Sequence, residues 1–302
     1  MDRRIFLRQS GGAAMLALGA TTFGRRFAQA QSTPTAGSGA AALAGLGLPE
    51  LTVTLTAKGF EATPAETPAG WTLVTFENRQ TEGEVGPDIM LIPKGETLDS
   101  VFAVAATPEA AQPAWLSSAV FAGAPWTPAG KTGQAVVLLE AGDWIDWSGG
   151  EALTPAPLTV TAGAGPAAAD LKLTADVEVA FKEYSFTGLQ KPIPAGPRLW
   201  KVANMGSQPH FIIVAAVPAG TTRGQLLAGV GAMMSGTPAP DALDVASLAP
   251  AGGGATISPG RSLWLPLDLA AGTYAAVCFF PDAQTDAPHV LLGIGGVFTV
   301  AG

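Results

Sequence analysis

The 302-residue chain contains a single cysteine and only two histidines. One cysteine excludes an intrachain disulfide, a zinc ribbon and an iron–sulfur cluster held by this chain alone. Charge is scarce as well, with Asp, Glu, Lys and Arg making up 13% of the residues. Five of the arginines and one aspartate fall within the first thirty residues. From residue 31 onward, 11 basic residues therefore stand against 23 acidic ones, a net charge of −12. Such a chain is a poor partner for nucleic acid or anionic membrane surfaces. No hydrophobic run free of Gly, Pro and charge reaches the ~20 residues a spanning helix needs, so stable membrane insertion is not expected. A Gly-x-Ser-x-Gly elbow, a phosphate-binding loop and a His-Glu-x-x-His motif are also missing.

Glycine and proline, by contrast, are plentiful, at 38 and 25 residues. With 48% apolar residues, this composition fits short strands joined by many turns better than helical bundles or disorder. An all-β protein is expected, and at roughly 100–200 residues per domain the length allows two.

The amino terminus reads as an address. Asp2-Arg3-Arg4-Ile5-Phe6-Leu7-Arg8 sets a twin arginine before bulky apolar residues, a Gly/Ala-rich run follows over 11–23, and Ala28-Gln29-Ala30 supplies a small-x-small cleavage site. Residues 1–30 are expected to be a twin-arginine signal peptide, with an uncleaved anchor as the alternative. That route carries proteins folded before export, to a periplasmic or secreted location. Residues 31–48 read as a low-complexity linker.

The remainder is written twice. Residues 53–60 (Val-Thr-Leu-Thr-Ala-Lys-Gly-Phe) match 179–186 (Val-Ala-Phe-Lys-Glu-Tyr-Ser-Phe) as alternating strands ending in an aromatic residue. Phe60 precedes Asn78, and Phe186 precedes Asn204, by the same 18 positions; Gly130–Gly142 and Gly260–Gly272 each span 12. Two units are expected, 49–163 and 170–302, joined by an Ala/Gly/Pro stretch over 162–169. Each should be a Greek-key β-sandwich with one helix-like segment, at 97–106 and 221–234.

The copies differ in chemistry. Asn204-Met205-Gly206-Ser207-Gln208-Pro209-His210 leads into an apolar strand, and Tyr274-Ala275-Ala276-Val277-Cys278 is followed by a loop to Pro288-His289. In the first unit Asp88 is read in place of His210 and Ser148 in place of Cys278, and about ten residues are missing where His289 sits. All histidines and cysteines of the protein thus lie in one unit.

This pattern, closed by Gly-x-Gly-Gly-Val-Phe-Thr-Val over 293–300, resembles the cupredoxin (blue, type 1 copper) family. It does so over 177–301 with ligands and over 51–163 as a copy without them. The resemblance implies His210, Cys278 and His289 as ligands of one copper ion in the second unit, since thiolate and imidazole hold both Cu(I) and Cu(II). There are two departures. The Cys-to-His loop has ten intervening residues, and the position of the weak axial methionine is taken by Ile294, which cannot coordinate. A three-coordinate site favours Cu(I) and raises the potential. Met205, Met233 and Met234 fit no axial spacing. Two histidines are too few for a multicopper oxidase.

The implied role is single-electron transfer with an exported redox protein or enzyme, as a carrier rather than a catalyst. A copper-free binding or structural module and copper storage or delivery are the alternatives. Asp282 and Asp286 read as an acidic, solvated loop tip or docking contact, with His289 near an exposed rim. Trp126, Trp144, Trp147, Trp200 and Trp264 read as core or inter-domain packing. Asp143/Asp146 and Glu82/Glu84 lack the spacing of a calcium loop.

Overall fold

The computed structural model describes residues 43–81, 83–105, 113–147, 154–163, 165–166, 171–248 and 250–302. The signal peptide expected at 1–30 and residues 31–42 of the expected linker lie outside them, as do Glu82 and Ser148. The first half contains β1 (Glu50–Thr56), β2 (Gly59–Thr63), β3 (Glu66–Pro68), β4 (Gly70–Asn78), β5 (Glu84–Val85), β6 (Asp88–Leu91), α1 (Leu98–Ala105), β7 (Val120–Phe121), β8 (Thr127–Pro128), β9 (Lys131–Leu139), β10 (Gly142–Trp147) and β11 (Ala156–Thr161). The second contains β12 (Val177–Phe181), β13 (Phe186–Thr187), β14 (Ile193–Pro194), β15 (Gly196–Asn204), β16 (His210–Val217), α2 (Arg223–Ser235), β17 (Pro250–Ile257), β18 (Ser262–Leu269), β19 (Gly272–Val277), α3 (His289–Leu292) and β20 (Gly295–Ala301).

The architecture is all-β, built as two β-sandwich halves. Strand order repeats between the halves: β2-β1-β4-β9 and β13-β12-β15-β18 on one side, β3-β11-β10-β6-β7 and β14-β20-β19-β16-β17 on the other. The first two sets join edge to edge where Trp264 of β18 pairs with Val136 of β9, giving one eight-stranded sheet that runs through both halves. Its outer face carries a small core of Leu43, Trp71, Leu73, Val136, Leu199 and Trp264, while the main core is continuous through both sandwiches.

Local chemistry explains the elements. Alternation is clearest in β11, where Ala156, Leu158 and Val160 are buried and their neighbours exposed, the period-2 signature of a strand with one wet face. Nearly every residue of β16, His-Phe-Ile-Ile-Val-Ala-Ala-Val, is buried, as fits a strand lying between two others. The helix expected at 221–234 is α2. A reciprocal capping box between Thr222 and Gln225 opens it, and Gly236, at φ 65°, ends it in the left-handed conformation.

Equivalent asparagines hold equivalent turns. Asn78 Nδ2 donates to Thr127 O at 2.9 Å and Asn204 Nδ2 to Ile257 O at 2.8 Å. The N–H groups of Gly130 and Gly260 return to the carbonyls of Asn78 and Asn204. Trp144 and Trp200 are fully buried, and Trp126 lies at the seam between the halves. The side chain of Trp147 is outside the described residues.

Candidate metal centre

His210 opens β16, opposite Ile257 of β17. Between His210 and Ile212 the ladder shifts register, the kind of irregularity that re-aims side chains at functional sites. Cys278 follows β19 directly, and His289 begins α3. The ten-residue loop between them is closed at its base by a Pro281–Pro288 bridge and by hydrogen bonds from His289 N–H to Phe280 O (2.9 Å) and Val290 N–H to Cys278 O (2.8 Å). Loop length therefore does not leave His289 loosely held.

Three donor atoms converge. Cys278 Sγ lies 3.8 Å from His210 Nδ1 and 3.9 Å from His289 Nδ1, and the two Nδ1 atoms are 2.9 Å apart. Trigonal bonds of about 2.0 Å to nitrogen and 2.3 Å to sulfur would put nitrogen and sulfur ~3.7 Å apart and the nitrogens ~3.5 Å apart. The sulfur–nitrogen separations match these values to about 0.2 Å and the nitrogens stand closer together, so the three donors would all reach a single ion. No other His, Cys, Asp or Glu of the described residues joins the cluster.

All three side chains are fully buried. Burial, helped by the neighbouring His289, pushes His210 down to about 3, and burial pushes His289 down to about 4 against the opposing pull of Asp282. Both imidazoles are therefore neutral at neutral pH, the form a metal requires. Burial pushes the Cys278 thiol up to about 12, opposed by backbone hydrogen bonds including one from Phe211 N–H to Sγ at 3.4 Å. A thiol this reluctant to ionise becomes a thiolate only when a cation replaces its proton.

Aromatic rings line the site: Phe181 lies 5.3 Å from His210, and Tyr184 and Phe280 lie 5.7 and 5.9 Å from His289, centroid to centroid. Neither Nε2 has a hydrogen-bond partner among the described residues. Gly206 belongs to the turn that Asn204 pins by accepting from its N–H at 2.9 Å. A Cβ there would stand 3.1 Å from His210 Nε2, so a small residue lets the turn lie against the ring.

Several sequence expectations are corrected here. His289 is not at an exposed rim: the β12–β13 turn covers it with Tyr184. Asp282 is not a solvated tip. Only 2% exposed, its Oδ2 accepts from Tyr184 Oη (2.7 Å) and Gln208 Nε2 (2.8 Å), and its Oδ1 from the N–H groups of Gln284 and Thr285 and from Thr285 Oγ1. Burial raises the Asp282 pKa, but these hydrogen bonds outweigh it and hold the carboxyl well below the usual range. Nor does Asp88 occupy the place of His210. Val85 faces Thr127 as His210 faces Ile257, and Asp88 instead accepts a hydrogen bond from Thr256 N–H, tying the halves together. Asp143 and Asp146, already without the spacing of a calcium loop, also differ in burial: Asp143 is exposed and Asp146 fully buried.

The Asp282 clamp was legible only as an acidic residue, because its partners lie 74 and 98 positions away. Replacing it tests its role. Asp282→Ala should destabilise the copper-free protein by on the order of 3 kcal/mol, from hydrogen bonds to a charged group that do not add fully. It should also weaken copper retention about 10–100-fold, as loss of a residue that orients ligands does. Chemical unfolding and competition with a copper chelator measure the two effects. The depressed pKa makes this stabilisation full above the unfolded carboxyl range and lost as pH falls below it.

Ile294 is fully buried beside the ligands, its N–H donating to His289 O (3.1 Å) and its O accepting from Cys278 N–H (3.3 Å). Met205 is 71% exposed and turned to solvent.

No family model and no curated protein matches the sequence. Among solved structures, the chain is similar to dithionite-reduced auracyanin from Roseiflexus castenholzii, with 20% identity over 41% of this chain and 95% of that one at a TM-score of 0.28. Auracyanin A, a blue copper protein from Chloroflexus aurantiacus, shows 18% identity over 41% and 96% at 0.25. A blue copper oxidase from Nitrosomonas europaea shows 13% over 83% and 84% at 0.21. These likenesses are remote, and the character of the centre comes from its own side chains. Two neutral imidazoles and one cysteine that would supply a thiolate, enclosed by aromatic rings, are the two-histidine, one-cysteine donor set of blue copper. The His210–Cys278–His289 cluster of this cupredoxin-like chain fits one type 1 copper ion.

Proposed function

We propose that the protein is an exported single-electron carrier, with His210, Cys278 and His289 as the ligands of one copper ion and Ile294 as a non-ligating axial neighbour. The observation that carries this reading is the triad itself, preformed and wholly buried. Donors held in place limit rearrangement when the ion changes charge, and covered ligands leave the metal open to electrons rather than to a substrate. Copper supplies the one-electron couple. The chain's own residues fix the imidazoles and the sulfur and exclude water.

The arginine pair before an apolar run supports export by the twin-arginine route to the periplasm or beyond. The repeated strand order supports a tandem repeat of units 49–163 and 170–302. The partner is another exported redox protein, with a basic face to match the acidic chain.

Voltammetry of copper-loaded residues 31–302 tests the reading. A reversible one-electron wave, unchanged by dioxygen or nitrite, is expected; a catalytic current with either would make the protein an enzyme. Ile294→Met should shift the Cu(II)/Cu(I) equilibrium toward Cu(II) by tenfold or more, lowering the potential by at least about 59 mV. An unchanged potential would remove Ile294 from the axial position.

A further inference from the structure

The first half has no triad among its described residues, yet it reaches the metal centre of the second. Its segment 119–126 runs along β17 as an added strand. Ala255 N–H donates to Ala124 O (2.8 Å), Ser258 N–H to Phe121 O (3.1 Å) and Trp126 N–H to Gly253 O (3.1 Å), with bridges at Ala122–Ile257 and Pro125–Gly254. The buried Ser258 hydroxyl accepts from Phe121 N–H at 2.8 Å and donates to Ala119 O at 2.7 Å. Gly123, at φ 87°, makes the approach possible: a Cβ there would stand 2.6 Å from Ile257 Cγ2 and 2.7 Å from Leu263 Cδ2. Ile257 is the residue paired with His210.

Two side chains of this segment then meet aromatic rings beside the donors. Phe121 stands edge-on to Phe280 at 6.1 Å, and Phe280 lies 5.9 Å from His289. Trp126 stacks on Phe211 at 6.4 Å, and the Phe211 N–H is the donor to Cys278 Sγ. Contacts one layer behind metal ligands set their orientation, and the apolar shell sets solvent access and potential.

We propose that the first half is the outer wall of the metal centre, with Phe121 and Trp126 as positioning residues that hold His289 through Phe280 and Cys278 through Phe211 and keep water from the donors. This rests on the copper reading only for its redox consequence; the wall itself is a property of the metal-free chain. The half without ligands thus has a specific task at the site of the half that carries them.

The full mature chain provides the test, because Cys278 is its sole cysteine and fully buried. In the metal-free protein, Phe121→Ala and Trp126→Ala should each raise the rate at which an aromatic disulfide reagent labels Cys278 by tenfold or more. Arg261→Ala, which cuts the separate inter-half contacts to Leu138 O and Glu140, should not. In the copper-loaded protein the same two variants should shift the Cu(II)/Cu(I) equilibrium at least tenfold toward Cu(II), and Arg261→Ala should leave it in place. Labelling rates within twofold of the native rate in both alanine variants would overturn the wall. If an alanine variant fails to fold, Phe121→Leu or Trp126→Phe decides: a threefold or greater rise in labelling supports the proposal, and a native rate overturns it. Should the native protein take up no copper, the electron-transfer reading falls while the labelling result still stands.

Discussion

Cys278→Ser should erase the intense visible absorption of the copper-loaded protein while leaving the fold intact. The band expected at about 600 nm arises from charge transfer between thiolate and copper, and a serine oxygen supplies no such transition. The substitution nearly conserves volume at a fully buried position, so its cost to the metal-free fold is that of one buried hydroxyl, about 1–3 kcal/mol. Copper affinity should fall on the order of 100-fold or more, beyond what loss of a supporting residue costs. Absorption spectroscopy with a chelator titration measures both. A retained band would mean that the colour does not come from Cys278.

Asp146→Asn should change the pH dependence of stability more than any other single replacement in the first half. Asp146 lies on β10, fully buried, and neither carboxylate oxygen has a hydrogen-bond partner among the described residues. Burial alone pushes its pKa from 3.8 up to about 8. The folded value lies above the unfolded one, so stability from this group is full below about pH 4, falls as pH rises and levels off above about 8. At about 1.4 kcal/mol per pH unit, the loss reaches several kcal/mol by pH 8. The buried imidazoles act in the opposite sense in the copper-free protein, because their depressed values cost stability as pH falls. Comparing native and variant chains at each pH cancels that contribution. Urea unfolding at pH 5 and pH 8 should show the variant's advantage growing with pH, and a constant difference would mean that Asp146 is already charged or solvated.

These two residues mark what the sequence could and could not disclose. Cys278 was legible because its chemistry is local and rare: a lone cysteine ending a strand, with histidines before and after it, absent from a matching copy. The sandwiches were legible because alternating burial and repeated Asn and Gly positions are written along the chain. Asp146, by contrast, reads as an ordinary acidic residue of the strand Gly142–Trp147, and only the packing around that strand buries its carboxyl without a hydrogen-bond partner among the described residues.

The same limit explains the other differences. Asp88 reads as the match of His210 because each follows a proline, Pro87 and Pro209, whereas Val85, which faces Thr127, lies seven positions after Asn78 where His210 lies six after Asn204 and carries no such marker. The Tyr184 and Gln208 bonds that bury Asp282, and the strand 119–126 laid along β17, join residues from 74 to 139 positions apart. Neither composition nor periodicity encodes contacts of that range.

Adding Cu(II) to residues 31–302 and recording the absorption spectrum together with the metal content tests the copper centre most directly. About one copper per chain with an intense band at about 600 nm is the expected result. A colourless protein that retains no copper after desalting would contradict it, leaving the buried triad as a relic within a binding scaffold.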